Sequence, residues 1–341
     1  MEKEATIYDI ARSLNVSIAT VSRALNDDPV VSKKTKKRVF EAAESLGYRH
    51  NRFASILRTR KTNVIGVIVP KLNSSFIANV LAGIEKAATE AGYDLIIATS
   101  SEKMELEKAN AQNLFHKRVD GLIVSLAIDS TDLRHFDAFA AKGIPVVFFD
   151  RVLEQEDAVQ VVIDNQKCGY LLAMHLIEQG CTRIAHITGS LSRNVYNLRY
   201  KGYLQAMQEA GLSPADDLLI ITDLSEEGAI ASVNSLLDRP DRPDAIMVTN
   251  DFLAAVVMNE VKMRGLRVPK DIAITGFNND AISRLVEPKL TTIDYPGLDM
   301  GKIIARNLIG HLSGSQDMRN TTKVIIRSQL VLRQSSLKST K

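Results

Sequence analysis

The chain has 341 residues, of which 45% are apolar and 24% charged. That is the composition of an ordinary globular protein, and the length exceeds what one compact core organises, so at least two domains are expected. Net charge is +3, but residues 1–60 hold 12 Lys/Arg against 7 Asp/Glu, while the remainder holds 31 against 33. Positive charge is thus concentrated at the N-terminus, as a polyanion binder requires, although on charge alone a solvated basic face is the simpler reading. Cys168 and Cys181 offer no disulfide framework and have no metal-ligand partners at useful spacing. They read as reduced packing residues of a cytoplasmic protein. The opening MEKEATIYDIARSLN carries acids and no apolar stretch, unlike a signal peptide, and no apolar run is long enough to span a membrane.

Caps and apolar spacing predict short helices in the first fifty residues. Thr6 begins the first, with Asp9 three residues on, close to a capping box. Ile7, Ile10, Ala11 and Leu14 form its apolar stripe, and Asn15 closes it. Ser17 begins the second, with Thr20, Val21 and Ala24 inward. Asn26-Asp27-Asp28-Pro29 is a turn cluster. Ser32 caps the third, with Val39, Ala42, Ala43 and Leu46 inward and Gly47 at C′. Helices joined by a turn as tight as Leu14-Asn15-Val16 form a helix-turn-helix, whose second helix enters the DNA major groove. Ile18 and Ala19 would face base edges there, and Arg23, one turn on, could reach a guanine. Thr6, Tyr8, Ser17, Thr20, Ser22, Asn26, Ser32 and Thr35 are donors suited to phosphate contacts that fix register.

The strings TIYDIARSLNVSIATVSRALN and VSKKTKKRVFEAAESLGYRHN resemble, without a gap, the headpiece of the lactose/galactose repressor family. The resemblance implies that Ile18, Ala19 and Arg23 read bases, the first two against a thymine methyl. It also implies that HNRFASILRTR holds a hinge helix in the minor groove, with Asn51, Arg52 and Ala54 in the groove and Leu57 wedged between base pairs. Asn51 to Leu57 is under two turns, too short to be stable alone, so it is expected to order on DNA beside a partner hinge. Two positions depart from the family: His50 stands where proline is usual and Ser55 where arginine is common. Hinge affinity is expected to be weaker than typical.

From Asn63 the pattern changes to short β-branched runs alternating with helical stretches. Strands are expected at 64–69, 95–98, 121–125, 145–149, 183–187, 218–221, 245–249 and 272–275, and helices around 76–91, 104–117, 132–142, 165–179, 197–210, 226–237, 251–264 and 296–312. This alternation argues for parallel sheets covered on both faces, and its length for two similar halves with a cleft between them. NVIGVIVPKLNSSF, RVDGLIVS, GIPVVFFDR, VVIDNQKCGY, GCTRIAHITGS, GLRVPKDIAITGFNN and LTTIDYP carry the family resemblance through the rest of the chain. It implies an effector domain like the periplasmic sugar-binding proteins, with crossings near Asp164, Thr291–Asp294 and Lys323–Ile326. The expected organisation is a headpiece over 1–49, a hinge over 50–61 and an effector and dimerisation domain over 62–334. Its halves are 62–163 with 292–323 and 164–291 with 324–334, followed by a polar, disordered tail over 335–341.

Ligands of open parallel sheets lie beyond the carboxyl ends of the strands. The candidates there are Asn73, Ser75, Phe76, Ser125, Asp150, Arg151, Arg193, Arg199, Asn250, Asp251, Phe277 and Asn278. Each alone reads as ordinary loop chemistry; their convergence at matched strand ends shifts that reading. NLRYKGY resembles the family motif whose arginine clamps the ligand, which singles out Arg199. The family commonly has aspartate where this chain has Asn278, which tilts the expected effector from a plain sugar toward a sugar acid or sugar phosphate, with a nucleobase behind.

An α/β enzyme with a basic extension is the competing function. No G-x-G-x-x-G loop, P-loop or G-x-S-x-G elbow follows any predicted strand, and His116, His135, His175, His186 and His311 stand without a metal or triad pattern. A secreted solute-binding protein is opposed by the basic headpiece. The expectation is a ligand-responsive transcription regulator, with no catalytic residue, metal or cofactor. It would bind operator DNA as a homodimer, with a tetramer as the alternative.

Overall fold

A computed structural model describes residues 5–25, 27–48, 61–153 and 159–338. Asn26 and the expected hinge residues Asn51, Arg52, Ala54 and Leu57 lie outside them. The chain divides into two units, Met1–Thr62 and Asn63–Lys341.

The first unit holds α1 (Ile7–Leu14), α2 (Ile18–Leu25) and α3 (Lys33–Ser45). Asp9 accepts from the Thr6 N–H at 2.9 Å and the Thr6 hydroxyl at 2.6 Å, which fixes the start of α1. Asn15 ends it with φ 52°, a left-handed position that asparagine tolerates. Ser17 and Ser32 accept from the N–H groups of Thr20 and Thr35 at 3.1 and 3.2 Å. Ile10, Ala11, Val21, Ala24, Val31, Val39 and Ala43 form the core. Leu46, expected inside, is 41% exposed. The helix has ended, and Gly47 at φ 62° turns the chain so that Tyr48 packs on the core instead.

The second unit is two α/β halves. A six-stranded sheet comprises β1 (Val64–Val69), β2 (Asp94–Thr99), β3 (Gly121–Val124), β4 (Val146–Phe149), β5 (Val159–Ile163) and β11 (Lys323–Ile326) in the order β11-β5-β4-β3-β1-β2. A four-stranded sheet comprises β6 (Ile184–Thr188), β7 (Leu219–Ile221), β8 (Ala245–Val248) and β9 (Ala273–Thr275) in the order β7-β6-β8-β9. Every pairing within both is parallel, which requires helical crossovers and buries both faces. On the first sheet, α4 (Ser75–Glu90) and α12 (Gly297–Ser313) pack on one face, and α5 (Met104–His116) and α6 (Asp137–Ala141) on the other. On the second, α7 (Asn165–Glu178) and α8 (Asn194–Glu209) oppose α9 (Glu226–Leu237) and α10 (Asp251–Met263). A four-residue helix, α11 (Ile282–Leu285), follows β9.

The chain passes between halves at Asp164, at β10 (Thr292–Asp294) and around β12 (Gln329–Val331), and β10 and β12 pair antiparallel. The last crossing falls later than the sequence suggested. Residues 323–326 pair in register with Gln160–Ile163 and close the edge of the first sheet, so 324–326 do not belong to the second half. The expected disorder after Gln334 is also corrected at its start. Ser335 and Ser336 are fully buried. The Ser335 hydroxyl donates to the Ile274 carbonyl at 2.6 Å, and its carbonyl accepts from the Ile274 N–H at 2.9 Å. Backbone pairing beside β9 overrides the polar composition of the tail.

Close approach of α7 and α8 depends on Gly169 and Gly202. A Cβ at Gly202 would run into the Gln166 carbonyl oxygen, and one at Gly169 into that of Arg199. Gly202→Ala should therefore lower the stability of the second unit by roughly 1–3 kcal/mol, read as an earlier urea midpoint. An unchanged midpoint would show that the two helices part without cost.

Candidate DNA interface and effector cleft

The short helix α2 divides its residues by face. Val21 and Ala24 are fully buried, while Ile18 is 43% exposed and Ala19 and Arg23 also face out. The candidate base readers thus share an accessible side at the start and middle of one helix. Of the candidate phosphate contacts, Tyr8 is 61% exposed. The Thr6 hydroxyl is spent on Asp9. Ser17 shares a hydrogen bond with Thr20 at 2.8 Å, and Ser32 with Thr35 at 2.9 Å, so each pair caps its own helix first. Ser22 is half-buried. Lys33, Lys34, Lys37 and Arg38 are exposed on α3, whereas Lys36 folds onto Asp27 at 2.5 Å and is lost to the basic face.

In the second unit a cavity of about 530 Å³ opens between the halves, walled by the loops beyond the strand ends. Eight of the twelve candidates line it: Asn73, Ser75, Phe76, Asp150, Arg151, Arg199, Asn250 and Asn278. Arg199 is 5% exposed. Its Nε donates to Asn165 Oδ1 at 2.9 Å, its Nη1 to the Thr249 carbonyl at 3.1 Å, and its Cζ lies 3.5 Å from the Phe277 ring centroid. Nη2 has no protein partner among the described residues. Burial lowers the Arg199 pKa from its ordinary value, and Tyr295, Asp150 and Tyr196 act against that.

Asp150 sits opposite, 7% exposed, with φ 56°. Tyr295 donates to its Oδ1 at 2.8 Å. Burial raises the Asp150 pKa, opposed by the nearby Arg151 and Arg199. Tyr295 and Phe76 stack at 4.1 Å between centroids, giving the cavity an apolar wall. Arg151 is already engaged: its Nη1 donates to Glu102 at 2.6 Å and its Nη2 reaches across to the Tyr196 hydroxyl at 2.9 Å. Asn250 caps α10, its Oδ1 accepting from the Leu253 N–H at 2.8 Å.

Four candidates do not line the cavity, each because its side chain is used internally or packed away. Ser125 is fully buried. Arg193 binds the carbonyls of Ala127 and Ser130 at 3.4 and 2.5 Å. Asp251 is held by Thr292 and the Asp280 backbone. Phe277 lies behind Arg199 as its stacking platform. Lining residues without an expectation include Lys71, Glu102, Tyr196, Glu226, Asp280 and Tyr295. Glu102 and Glu226 follow β2 and β7, so the strand-end rule applied to those strands finds them. Tyr196 lies one helical turn before Arg199. The carboxylates Glu102, Asp150, Glu226 and Asp280 face the cations Lys71, Arg151 and Arg199. Carboxylates thus outnumber cations on the wall, which runs against the expected sugar acid or sugar phosphate.

The model of bacterial regulatory proteins of the lacI family matches residues 6–51, and that of the periplasmic binding protein-like domain matches 173–336. The chain is 34% identical over 309 residues to the catabolite control protein A of Priestia megaterium, covering 90% of this chain and 92% of the relative. It is 31% identical over 332 residues to the ribose operon repressor of Haemophilus influenzae, covering 97% and 98%. The lac repressor dimer bound to operator and the anti-inducer ONPF superposes with a TM-score of 0.87 at 27% identity, over 98% of this chain and all of that one. Among the described residues no helix is long and apolar enough to cross a membrane. A helix-turn-helix and a two-half α/β unit with a cleft, together with these relatives, place this chain in the lacI family of DNA-binding, effector-responsive transcription regulators, not among enzymes.

Proposed function

We propose that the protein is a repressor that binds a near-palindromic operator as a homodimer and releases or tightens its grip when a neutral sugar enters the cleft. Residues 1–49 act as the reading head, with Ile18, Ala19 and Arg23 toward bases. Tyr8 and the capped helix starts at Ser17 and Ser32 lie toward phosphates. Residues 50–61 act as the hinge, with Leu57 as its wedge, and the unit from 62 onward binds the effector and dimerises. Ligand-dependent geometry of the two halves sets the spacing of two hinges, and the coupling is a differential affinity of the effector for two states.

One observation carries the effector assignment. The open Nη2 of Arg199 faces a cavity that also holds the Asp150 carboxylate and the stacked Phe76–Tyr295 pair. A donor fork, a carboxylate acceptor and an aromatic wall suit a ring bearing vicinal hydroxyls. The carboxylates around the cavity oppose an acidic or phosphorylated ligand, and the Arg151 guanidinium is spent on Glu102 and Tyr196. The ribose operon repressor is a relative named for a sugar operon.

A thermal-shift screen of the full chain against neutral pentoses and hexoses, sugar acids, sugar phosphates and purine bases tests this, since binding raises the melting temperature with ligand concentration. A neutral sugar is the expected hit, and a hit confined to the anions would refute the assignment. Arg199→Lys should then weaken the hit by about 1.5–3 kcal/mol, roughly ten- to a hundredfold in Kd, because the planar fork is lost while the charge is kept.

For the head, Arg23→Ala should cost roughly 1–3 kcal/mol of operator affinity and relax specificity at one base pair. Equal weakening on all sequences would make Arg23 a phosphate contact. Leu57→Gly should depress specific binding far more than non-specific binding in titrations at fixed salt. An equal loss on both would remove the wedge role.

A further inference from the structure

Two of the crossings between the halves form one ribbon: β10 pairs with β12, Thr292 opposite Val331 and Asp294 opposite Gln329. The turn after β9 presents Asn278 and Asp280 to the cavity, and its other side is fastened to that ribbon. The Asn278 N–H donates to the Ile293 carbonyl at 3.0 Å. The Asn279 N–H donates to Thr292 Oγ1 at 3.2 Å, and its Nδ2 to Asp294 Oδ1 at 2.9 Å. Arg333, just past β12, donates to Asn279 Oδ1 at 2.6 Å, Ser283 Oγ at 3.0 Å and the Leu290 carbonyl at 2.8 Å. Asn279 has φ 57°, a left-handed position that asparagine tolerates, whereas Asn278 at φ 112° lies outside that region and is held by the surrounding hydrogen bonds.

Asp251 is the bracket between these parts. It is fully buried at the first residue of α10. Its Oδ1 accepts from the Thr292 hydroxyl at 2.7 Å and its Oδ2 from the Asp280 N–H at 2.7 Å. One carboxylate therefore reaches both the crossing strand and the cavity-lining turn. The packing is close: a Cβ at Gly276 would run into Asp251 Oδ1. Both hydrogen bonds come from neutral donors. The charged groups facing it are Asp280 on the turn and Arg333 after β12. Arg333 is committed to Asn279, Ser283 and Leu290 and also feels Arg284 and Asp294, while Asp280 feels Arg284.

We propose that Asp251 is a positioning residue of the effector response: it ties the cavity-lining turn to the crossing ribbon, and the tie depends on whether its carboxyl carries a proton. The proposal rests on the cavity being the effector site. Burial pushes the Asp251 pKa up to about 7. The sign follows from linkage. An opening that exposes Asp251 returns its pKa toward the ordinary carboxylate value, so the open form holds fewer protons. The proton-dependent part of that protection is complete below pH 4, falls as pH rises and is lost by about pH 7, while the two hydrogen bonds that the carboxylate accepts remain.

Hydrogen exchange of the full chain from pH 5 to 8.5, corrected for intrinsic rates, reads this in peptides covering 277–284 and 290–295. The wild-type opening constant should rise by up to about tenfold per pH unit and level off near 7. In Asp251→Asn that slope should vanish; equal slopes in the two proteins would overturn the proposal. Thr292→Val removes one donor that holds the carboxylate charged, so levelling should move to higher pH, and an unmoved plateau would equally overturn it. This second variant decides the question if Asp251→Asn does not fold. No sugar is needed, so a failed sugar screen with the slope intact counts against the effector site alone. A sugar hit with no slope counts against Asp251 alone.

Discussion

The cleft is organised around one buried cation. A guanidinium at 5% exposure is tolerable only if its donors and charge are answered, because an uncompensated buried charge costs several kcal/mol, about 3–5 when a partner is removed. Arg199 is answered from several elements at once: Asn165 at the start of α7, Thr249 at the end of β8 and the Phe277 ring after β9. The answer is incomplete, since Nη2 opens on the cavity. A rigidly held donor with no protein partner is a source of affinity for whatever supplies an acceptor. Pre-organisation matters here. The guanidinium is clamped by the second half before anything binds, so little ordering cost falls on the binding step.

That clamp in turn depends on backbone proximity. Gly169 and Gly202 let α7 and α8 meet with each helix lying against the other's carbonyls, and α8 carries both Arg199 and Tyr196. Packing thus sets chemistry. Tyr196 extends the arrangement across the cleft by accepting from Arg151, which Glu102 holds from the loop after β2. The wall of the first half and the helix of the second are in hydrogen-bonded contact before any ligand is considered.

Much of this was legible in the sequence because it follows local rules. Long apolar runs such as 64–69 and helices such as 104–117 announce themselves by periodicity, and the caps at Thr6, Ser17 and Ser32 act within three residues. The strand-end rule found Asp150, Arg199, Asn250 and Asn278 on the cavity wall. What escaped is non-local. The strands β10 and β12 are three residues each, too short for a period, and exist only because the crossings pair with one another. β11 is assigned to the first sheet by its register with β5. Ser335 and Ser336 are polar and near the end, yet buried, because the edge of β9 needs backbone partners that composition does not reveal. Asp251 sits beside a cavity residue in sequence, but its carboxylate turns inward to Thr292.

The departure at Asn278 takes on a different meaning in this setting. In sequence it reads as a carboxylate removed from the pocket. In the structure its Nδ2 lies 3.4 Å from Asp280 Oδ2, and Asp280 itself lines the cavity. A carboxylate two residues along the same turn therefore still faces the cavity. Asparagine also suits the backbone at position 279, whose φ of 57° is in the left-handed region where asparagine is enriched among non-glycine residues. Burial raises the Asp280 pKa, and the Asn278 amide and the Arg284 charge oppose that shift. The turn thus combines an amide that can both donate and accept with an acceptor behind it, which is recognition chemistry for hydroxyl groups. The same two asparagines hold the ribbon from their other sides, through the backbone of Asn278 and the side chain of Asn279. The cavity-lining turn and the ribbon share these hydrogen bonds, so a displacement of Asn278 or Asp280 would also disturb the contacts between the turn and β10.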